Sequence, residues 1–210
     1  MIRALALATA LVFALPAWAA PAPKLDVLLA KLQASSKQVR TLSGEFTQRN
    51  RIKLFKQELR SRGRLYFQAP RRIRWEYTEP DPSVLVLDGQ KATLSTPGAP
   101  PQVFDLAHDA TMAAIFDQLL LWLGPGSLAQ AHNDYQLTAS GTAAEPILTL
   151  EPKPSSPVAK AFQRIQLRLD GKSWLLKSIL LVEKSGDEKE ITFTRLERNV
   201  PLPPNAFHVP

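Results

Sequence analysis

The chain of 210 residues contains no cysteine and only three histidines, and these absences exclude several kinds of functional site. Without cysteine there is no disulfide scaffold, no thiolate metal site, no cysteine nucleophile and no lipid-modified N-terminal cysteine. The histidines, His108, His132 and His208, show no metal-ligand spacing. The sequence also lacks a G-x-S-x-G nucleophile motif and a glycine-rich phosphate loop. We therefore expect a protein that is not an enzyme and that holds no metal or cofactor.

Only one hydrophobic run stands out, and it lies at the N-terminus. Arg3 precedes an apolar stretch over residues 4–15, and Ala17-Trp18-Ala19 has the small-x-small pattern of a cleavage site. The stretch is too short to cross a bilayer, which takes about 20 residues. We interpret residues 1–19 as a cleaved signal peptide, with an uncleaved anchor as the alternative, and residues 20–210 as one exported domain. With 45% hydrophobic residues, the chain can bury a substantial core.

Most of the remaining chain shows the period-two alternation of antiparallel strands that have one face in water. The alternation is clearest in residues 42–48, 60–67, 72–78, 164–170 and 191–193. Asp88-Gly89, Asp170-Gly171 and Ser185-Gly186-Asp187 separate apolar runs in the manner of hairpin turns. The spacing predicts about nine to eleven strands, and the fold class is mainly β with helices.

Two segments have helical periodicity instead. Residues 24–40 form an amphipathic pattern, and residues 109–123 form a more apolar one, with Asp109 as the N-cap and Gly124-Pro125-Gly126 as the stop. Leu121 and Trp122 add apolar surface beyond its stripe, so this second helix is buried or faces an apolar group that is not always protein. The stripe itself consists of Met112, Ile115, Phe116, Leu119, Leu120 and Leu123.

Positive charge is concentrated in one part of the chain. Residues 49–74 contain ten basic side chains and one acidic side chain, Glu58, while the whole chain carries a formal net charge of +7. One interpretation is a basic docking face for an anionic lipid surface or an acidic partner. The other is a solvated sheet face that blocks edge pairing. Nucleic acid is not an expected partner of an exported protein. The candidate docking residues are Arg60, Arg62, Arg64, Arg72 and Arg74.

The order of several short motifs resembles the periplasmic outer-membrane lipoprotein carrier (LolA) family. The likeness covers the whole mature chain and is strongest in residues 44–89. The motifs are Gly44-x-Phe46-x-Gln48, Gly63-x-Leu65-x-Phe67-x-x-Pro70-x-x-x-Arg74-Trp75-x-Tyr77, Pro80 with Val84-x-Val86-x-Asp88-Gly89, and Asn199-x-Pro201-Leu202 with Phe207-x-Val209-Pro210.

This resemblance implies an incomplete antiparallel β-barrel covered by the N-terminal helix and a lid helix over residues 109–123. It also implies a monomeric periplasmic carrier, which receives an acylated lipoprotein from an inner-membrane ABC-type releasing complex and passes it to an outer-membrane receptor. On this chain the acyl-binding cavity would be lined by the lid stripe and by Phe46, Leu65, Phe67, Ile73 and Trp75. Residue type alone favours an ordinary core at these positions.

One position departs from the family pattern. Well-studied carriers have an arginine immediately before the proline of the second motif, where it ties the barrel to the lid, and here that residue is Ala69. Arg71 or Arg72 is the candidate substitute. The alternatives are a carrier of another amphiphile, such as a glycolipid or a polyene lipid, and a lipid-sensing regulatory module of the same fold. Two further alternatives are a β-rich protein with a filled core and an enzyme that uses the cavity.

Overall fold

The computed structural model describes residues 23–54, 57–123 and 128–209. The predicted signal peptide over residues 1–19 and the predicted stop at Gly124-Pro125-Gly126 lie outside the described residues. The described chain is mainly β with three α-helices. None of the described helices is long and apolar enough to span a membrane.

Eleven strands form one sheet, which agrees with the predicted count. They are β1 (Thr41–Ile52), β2 (Gln57–Gln68), β3 (Arg72–Glu79), β4 (Ser83–Asp88), β5 (Lys91–Ser95), β6 (Gln102–Asp105), β7 (Tyr135–Gly141), β8 (Pro146–Pro152), β9 (Phe162–Leu169), β10 (Leu176–Glu183) and β11 (Glu188–Arg198). In strands such as β1, β2 and β3, polar and apolar residues alternate, so that the apolar side chains lie on one face of the sheet.

The sheet is antiparallel and open. Its strand order is β6-β5-β4-β3-β2-β1-β11-β10-β9-β8-β7, so that β6 and β7 are its edges. The described residues therefore do not close into a barrel, and the predicted incomplete closure is confirmed. The Asp88-Gly89 turn is also confirmed, because Asp88 pairs with Lys91 and Gly89 has a φ of 65°. The predicted Asp170-Gly171 turn is longer, since β10 begins only at Leu176.

Three helices accompany the sheet: α1 (Leu25–Ser36), α2 (Ala110–Leu123) and α3 (Leu128–Asp134). The first two match the predicted helices, although α1 ends four residues before the predicted boundary at residue 40. Asp109 caps α2 as predicted, because its Oδ1 accepts a hydrogen bond of 2.9 Å from the backbone N–H of Met112. The sequence did not predict α3, which has only seven residues.

The hydrophobic core lies between the inner face of the sheet and the helices. Leu28 and Leu32 of α1, Phe116 of α2 and side chains from most of the strands belong to one continuous buried cluster. The strands approach closely at Gly63, where a Cβ atom would lie only 2.1 Å from the carbonyl oxygen of Glu76. Because Phe116 belongs to the same buried cluster as the strand residues, α2 lies over the apolar face of the sheet.

Candidate functional site

The α2 helix covers the inner face of the sheet with one side of its predicted apolar stripe. Phe116, Leu120 and Leu123 are buried, while Met112 and Leu119 are half-buried. Ile115 is a correction to the stripe, because its side chain is 45% exposed. At 100° per residue, Ile115 lies more than 90° around the helix from the centre of the three buried side chains. The stripe is wider than the surface that the sheet can cover.

Opposite α2, the sheet provides a wall of large apolar side chains. The predicted residues Leu65, Phe67 and Ile73 are fully buried, and Phe46 and Trp75 are at most 6% exposed. Aromatic rings contact one another across the strands, with 4.4 Å between the ring centroids of Phe46 and Trp75. In this closed conformation these five side chains form packed core, so their role as a cavity lining remains a prediction.

A polar layer ends the core at the side of the β1–β2 turn. The hydroxyl of Tyr77 donates a hydrogen bond of 2.8 Å to Oε1 of Gln48, whose Nε2 donates one of 3.0 Å to Oδ1 of Asn50. Gln48 is buried, and burial raises the pKa of the Tyr77 hydroxyl. Gln48 and Tyr77 belong to two of the family-like motifs. Their hydrogen bond explains why each motif has a polar group at this position.

Two polar contacts hold the sides of α2. Nη2 of Arg71, in the turn between β2 and β3, lies 3.1 Å from Oδ1 of Asp117. On the other side, the hydroxyl of Tyr135 in β7 donates a hydrogen bond to Oε1 of Gln118. Burial raises the pKa of Tyr135 to about 12. Arg71 therefore makes the contact between sheet and helix that Ala69 cannot make.

A cavity of about 40 Å³ remains between the helices and the sheet, which is room for about three water-sized groups. Of the predicted lining residues only Leu123 reaches it. The sequence pointed to part of the rest, because the amphipathic pattern over residues 24–40 includes Leu32 and Val39 on its apolar side, and Trp122 lies beyond the stripe of α2. In the structure Val39 follows the end of α1 at Ser36. The cavity is lined by Leu32, Ser35, Ser36, Val39, Leu42, Leu121, Trp122, Leu123, Leu167, Leu169, Trp174, Leu175, Leu176 and Leu196.

The outer face of the basic region carries many ion pairs. Arg49 pairs with Glu190 of β11, and Arg51 pairs with both Glu58 and Glu188. This favours the interpretation as a solvated sheet face for these arginines, because acidic residues from neighbouring strands neutralise them.

Three of the predicted docking residues remain open to solvent on this face. The side chains of Arg60 and Arg62 are 75% and 71% exposed, although each lies near a glutamate. Arg64 makes no ion pair within 4 Å among the described residues, and it lies between Glu45 and Glu76 in the strand register. The exposed members of the predicted docking set thus lie together on the outer face of β2.

The other two predicted docking residues contact the C-terminal segment. The guanidinium of Arg72 lies 4.3 Å from the ring centroid of Phe207, and Nη1 of Arg74 donates a hydrogen bond of 2.5 Å to the carbonyl oxygen of His208. The Arg74 side chain is only 12% exposed and also pairs with Glu76. Arg74 therefore fixes the C-terminal segment to the sheet and does not belong to an exposed docking face.

The described residues contain no cluster of three or more metal-ligating side chains. The titratable groups beside the cavity are few, and its walls are mostly leucine and tryptophan. The lining therefore offers apolar contact area and, among the described residues, no group suited to metal binding.

Comparison with known proteins gives the family of the chain. The model of the family "Outer membrane lipoprotein carrier protein LolA" matches residues 37–210. An outer-membrane lipoprotein carrier protein of Chromobacterium violaceum is 28% identical over 190 residues, which cover 89% of this chain and 84% of that protein. The protein of the same name in Dechloromonas aromatica is 26% identical over 175 residues, covering 81% of this chain and 77% of the relative.

Solved structures with similar folds agree with the architecture described above. An uncharacterized conserved protein from Thermus thermophilus aligns with a TM-score of 0.55 at 10% identity, covering 87% of this chain and 91% of that one. The crystal structure of MucB aligns with a TM-score of 0.53 at 17% identity, covering 88% of this chain and 62% of MucB. At these identities the likeness shows the fold alone. The family match is different, because it includes every motif from Gly44 to the C-terminus, and the chain therefore belongs to the LolA family of outer membrane lipoprotein carrier proteins.

Proposed function

We propose that this protein is a periplasmic carrier that binds the acyl chains of a lipoprotein, or of a related lipid, between the sheet and its helices. It carries this cargo from the inner to the outer membrane. The observation that supports the proposal best is the position of α2, an apolar helix held over the apolar face of an open sheet. Membership of a family of carriers supports the same role and gives no support to catalysis.

The packing suggests how cargo enters. Phe116, Leu120 and Leu123 occupy the surface that acyl chains would occupy, so the helix and the cargo compete for the same wall. Burying such a side chain is worth about 1.5–3 kcal/mol, and each buried CH₂ of an acyl chain about 0.8 kcal/mol. Cargo therefore replaces one set of apolar contacts by another, and the net free energy stays small enough for the carrier to release it.

The partners follow from the same proposal. A carrier between two membranes needs an inner-membrane complex that releases the lipoprotein, which we take to be of the ABC type, and an outer-membrane receptor that accepts it. Arg60, Arg62 and Arg64 are the exposed cations that such a partner would contact. A monomer suits this role because a carrier has to diffuse.

Uptake of a fluorescent fatty acid by the purified mature protein tests the proposal. Leu120→Glu places a carboxylate in the apolar wall, and we expect it to abolish uptake while the far-UV circular dichroism of the strands is kept. Val103→Glu is the matched control, because Val103 is 65% exposed on the edge strand β6 and should not affect uptake. Normal uptake by Leu120→Glu would contradict the proposal.

A second experiment does not depend on the folding of that variant. Since the chain has no cysteine, Arg71→Cys with Asp117→Cys creates a unique pair that a short bis-maleimide can bridge. Bridging should block uptake, whereas the unbridged double variant should bind the fatty acid. Native mass spectrometry of the protein isolated from its own cells then identifies the cargo as a triacylated lipoprotein, a glycolipid or a polyene lipid.

A further inference from the structure

Within the described part of the chain, four side-chain nitrogens are shielded from solvent without a hydrogen-bond acceptor: Nε of Arg71 and Arg72, Nε2 of Gln118 and Nε1 of Trp122. Three of them belong to groups with other partners. Both arginines donate hydrogen bonds through their terminal nitrogens. The Gln118 amide already contacts the Tyr135 hydroxyl, and exchanging the positions of its oxygen and nitrogen would let the nitrogen donate to that hydroxyl. Trp122 differs, because an indole has a single donor and no acceptor.

Trp122, which carries this unpaired N–H, borders the cavity between the helices and the sheet. Trp122 lies in the last turn of α2 and lines the cavity of about 40 Å³ together with residues of α1 and the β9–β10 turn. The hydroxyls of Ser35 and Ser36 in the same lining already donate to backbone carbonyls, and the lining contains one other indole, that of Trp174. A donor that is shielded from solvent without an acceptor is costly, and a ligand that supplies an acceptor removes this cost.

We propose that the indole N–H of Trp122 is the hydrogen-bond donor for an ester or amide carbonyl of the bound lipid. This inference rests on the proposed function, since it assigns the polar contact within the same site. The cavity itself has room for the carbonyl group, and the hydrocarbon lies on the apolar wall for which α2 and the cargo compete, so that Trp122 fixes how far the chain enters. An ester and an amide present the same acceptor, so both kinds of acyl linkage fit the site.

A pair of amphiphiles that differ only in the carbonyl tests this assignment. Monolaurin carries the ester carbonyl, and 1-O-dodecylglycerol has a CH₂ in its place. We expect the native protein to bind monolaurin about tenfold more tightly, because it supplies an acceptor to an otherwise unpaired donor. In Trp122→Phe the preference should fall below twofold through weaker binding of monolaurin, with the affinity for the ether unchanged. Trp174→Phe is the matched control and should keep the preference, because Trp174 lines the same cavity and its N–H is not among the shielded, unpaired donors.

A direct readout accompanies the affinities. The indole ¹H–¹⁵N resonance of Trp122, assigned by its loss in Trp122→Phe, should move downfield with monolaurin and stay in place with the ether. Equal binding of the two amphiphiles by the native protein, or a preference that survives in Trp122→Phe, would overturn the assignment and leave the carrier proposal intact. If neither amphiphile bound, the proposed function would fall with it.

Discussion

The ring of Phe46 lies against the α-carbon of Gly63, its register partner on the neighbouring strand, and leaves no room there for a side chain. A Cβ at Gly63 would lie 2.4 Å from Cζ of Phe46 and 2.1 Å from the carbonyl oxygen of Glu76. The glycine of the second sequence motif is thus required by the aromatic residue of the first. Since Phe46 also contacts Trp75, the two motifs together fix the centre of the core.

Gly63→Ala should therefore destabilise the fold by about 2–3 kcal/mol, because either the ring or the β3 backbone has to move. Urea unfolding followed by circular dichroism measures this free energy. Arg64→Ala is the control on the next residue, which points to the solvent side, and should change stability by less than about 0.5 kcal/mol. Equal effects of the two substitutions would show that the core adapts to the added carbon.

Asp117→Asn should open the lid more often without unfolding the protein. The pair with Arg71 is largely exposed and is worth at most about 1 kcal/mol, so its loss should speed uptake of a fluorescent fatty acid by up to about fivefold. The charge exchange Arg71→Asp with Asp117→Arg should restore the native rate at low salt. Glu197→Gln, which breaks the exposed pair with Arg195, should leave uptake unchanged.

Tyr135→Phe should change how stability depends on alkaline pH. Burial raises the Tyr135 pKa in the folded state to about 12, whereas an unfolded tyrosine titrates near 10. The unfolded state therefore loses this proton first. The stabilisation is complete below pH 10, and it is lost as the pH rises to 12. Native protein should lose roughly 2–3 kcal/mol more than Tyr135→Phe over that range. Parallel pH profiles from urea titrations would contradict this account.

Replacing Arg60, Arg62 and Arg64 by glutamine should weaken transfer of cargo from the inner-membrane complex that the proposed function requires. These three side chains carry the exposed positive charge of β2, and we expect the transfer rate at low salt to fall more than at high salt. Fatty-acid uptake in solution should not change. A variant with normal transfer would show that the outer face of β2 serves only to keep the sheet solvated.

The strands and the two long helices could be predicted because their patterns are local. Leu42, Phe46 and Gln48 of β1 are buried on one face of the sheet, which is what a period of two requires. Asp109 could be identified as a cap because the capping hydrogen bond is made three residues away. Seven residues of α3 were too few for a period of 3.6 to emerge.

The site was predicted less completely, because tertiary contacts decide it. Ile115 follows the apolar period of α2, yet only the packing of the helix determines which arc of the stripe is covered. Arg74 has the alternation of an exposed residue, but a segment far along the chain covers it. The cavity combines Trp122 and Trp174 from separate parts of the sequence, and no local pattern brings them together.

Asn199, the first residue of the C-terminal motif, makes two tertiary contacts with one side chain. It has a φ of 58°, a left-handed conformation that asparagine tolerates. Its Oδ1 accepts a hydrogen bond of 2.9 Å from the backbone N–H of Arg40, and its Nδ2 donates one of 2.9 Å to the carbonyl oxygen of Gln38. The motif could be recognised from the sequence, but the link to the α1–β1 connection could not.

The pairing of β1 with β11 places the first and last strands side by side in the middle of the sheet. Each half of the sheet is a simple meander, and in the described strand order only this pairing joins the two halves by backbone hydrogen bonds, so the rate of folding depends on closing a very long loop. If the chain is exported N-terminus first, as the predicted signal peptide implies, β1 emerges long before β11. The sheet would then be completed only at the end of translocation, and the chain would stay unfolded enough to be translocated until that point.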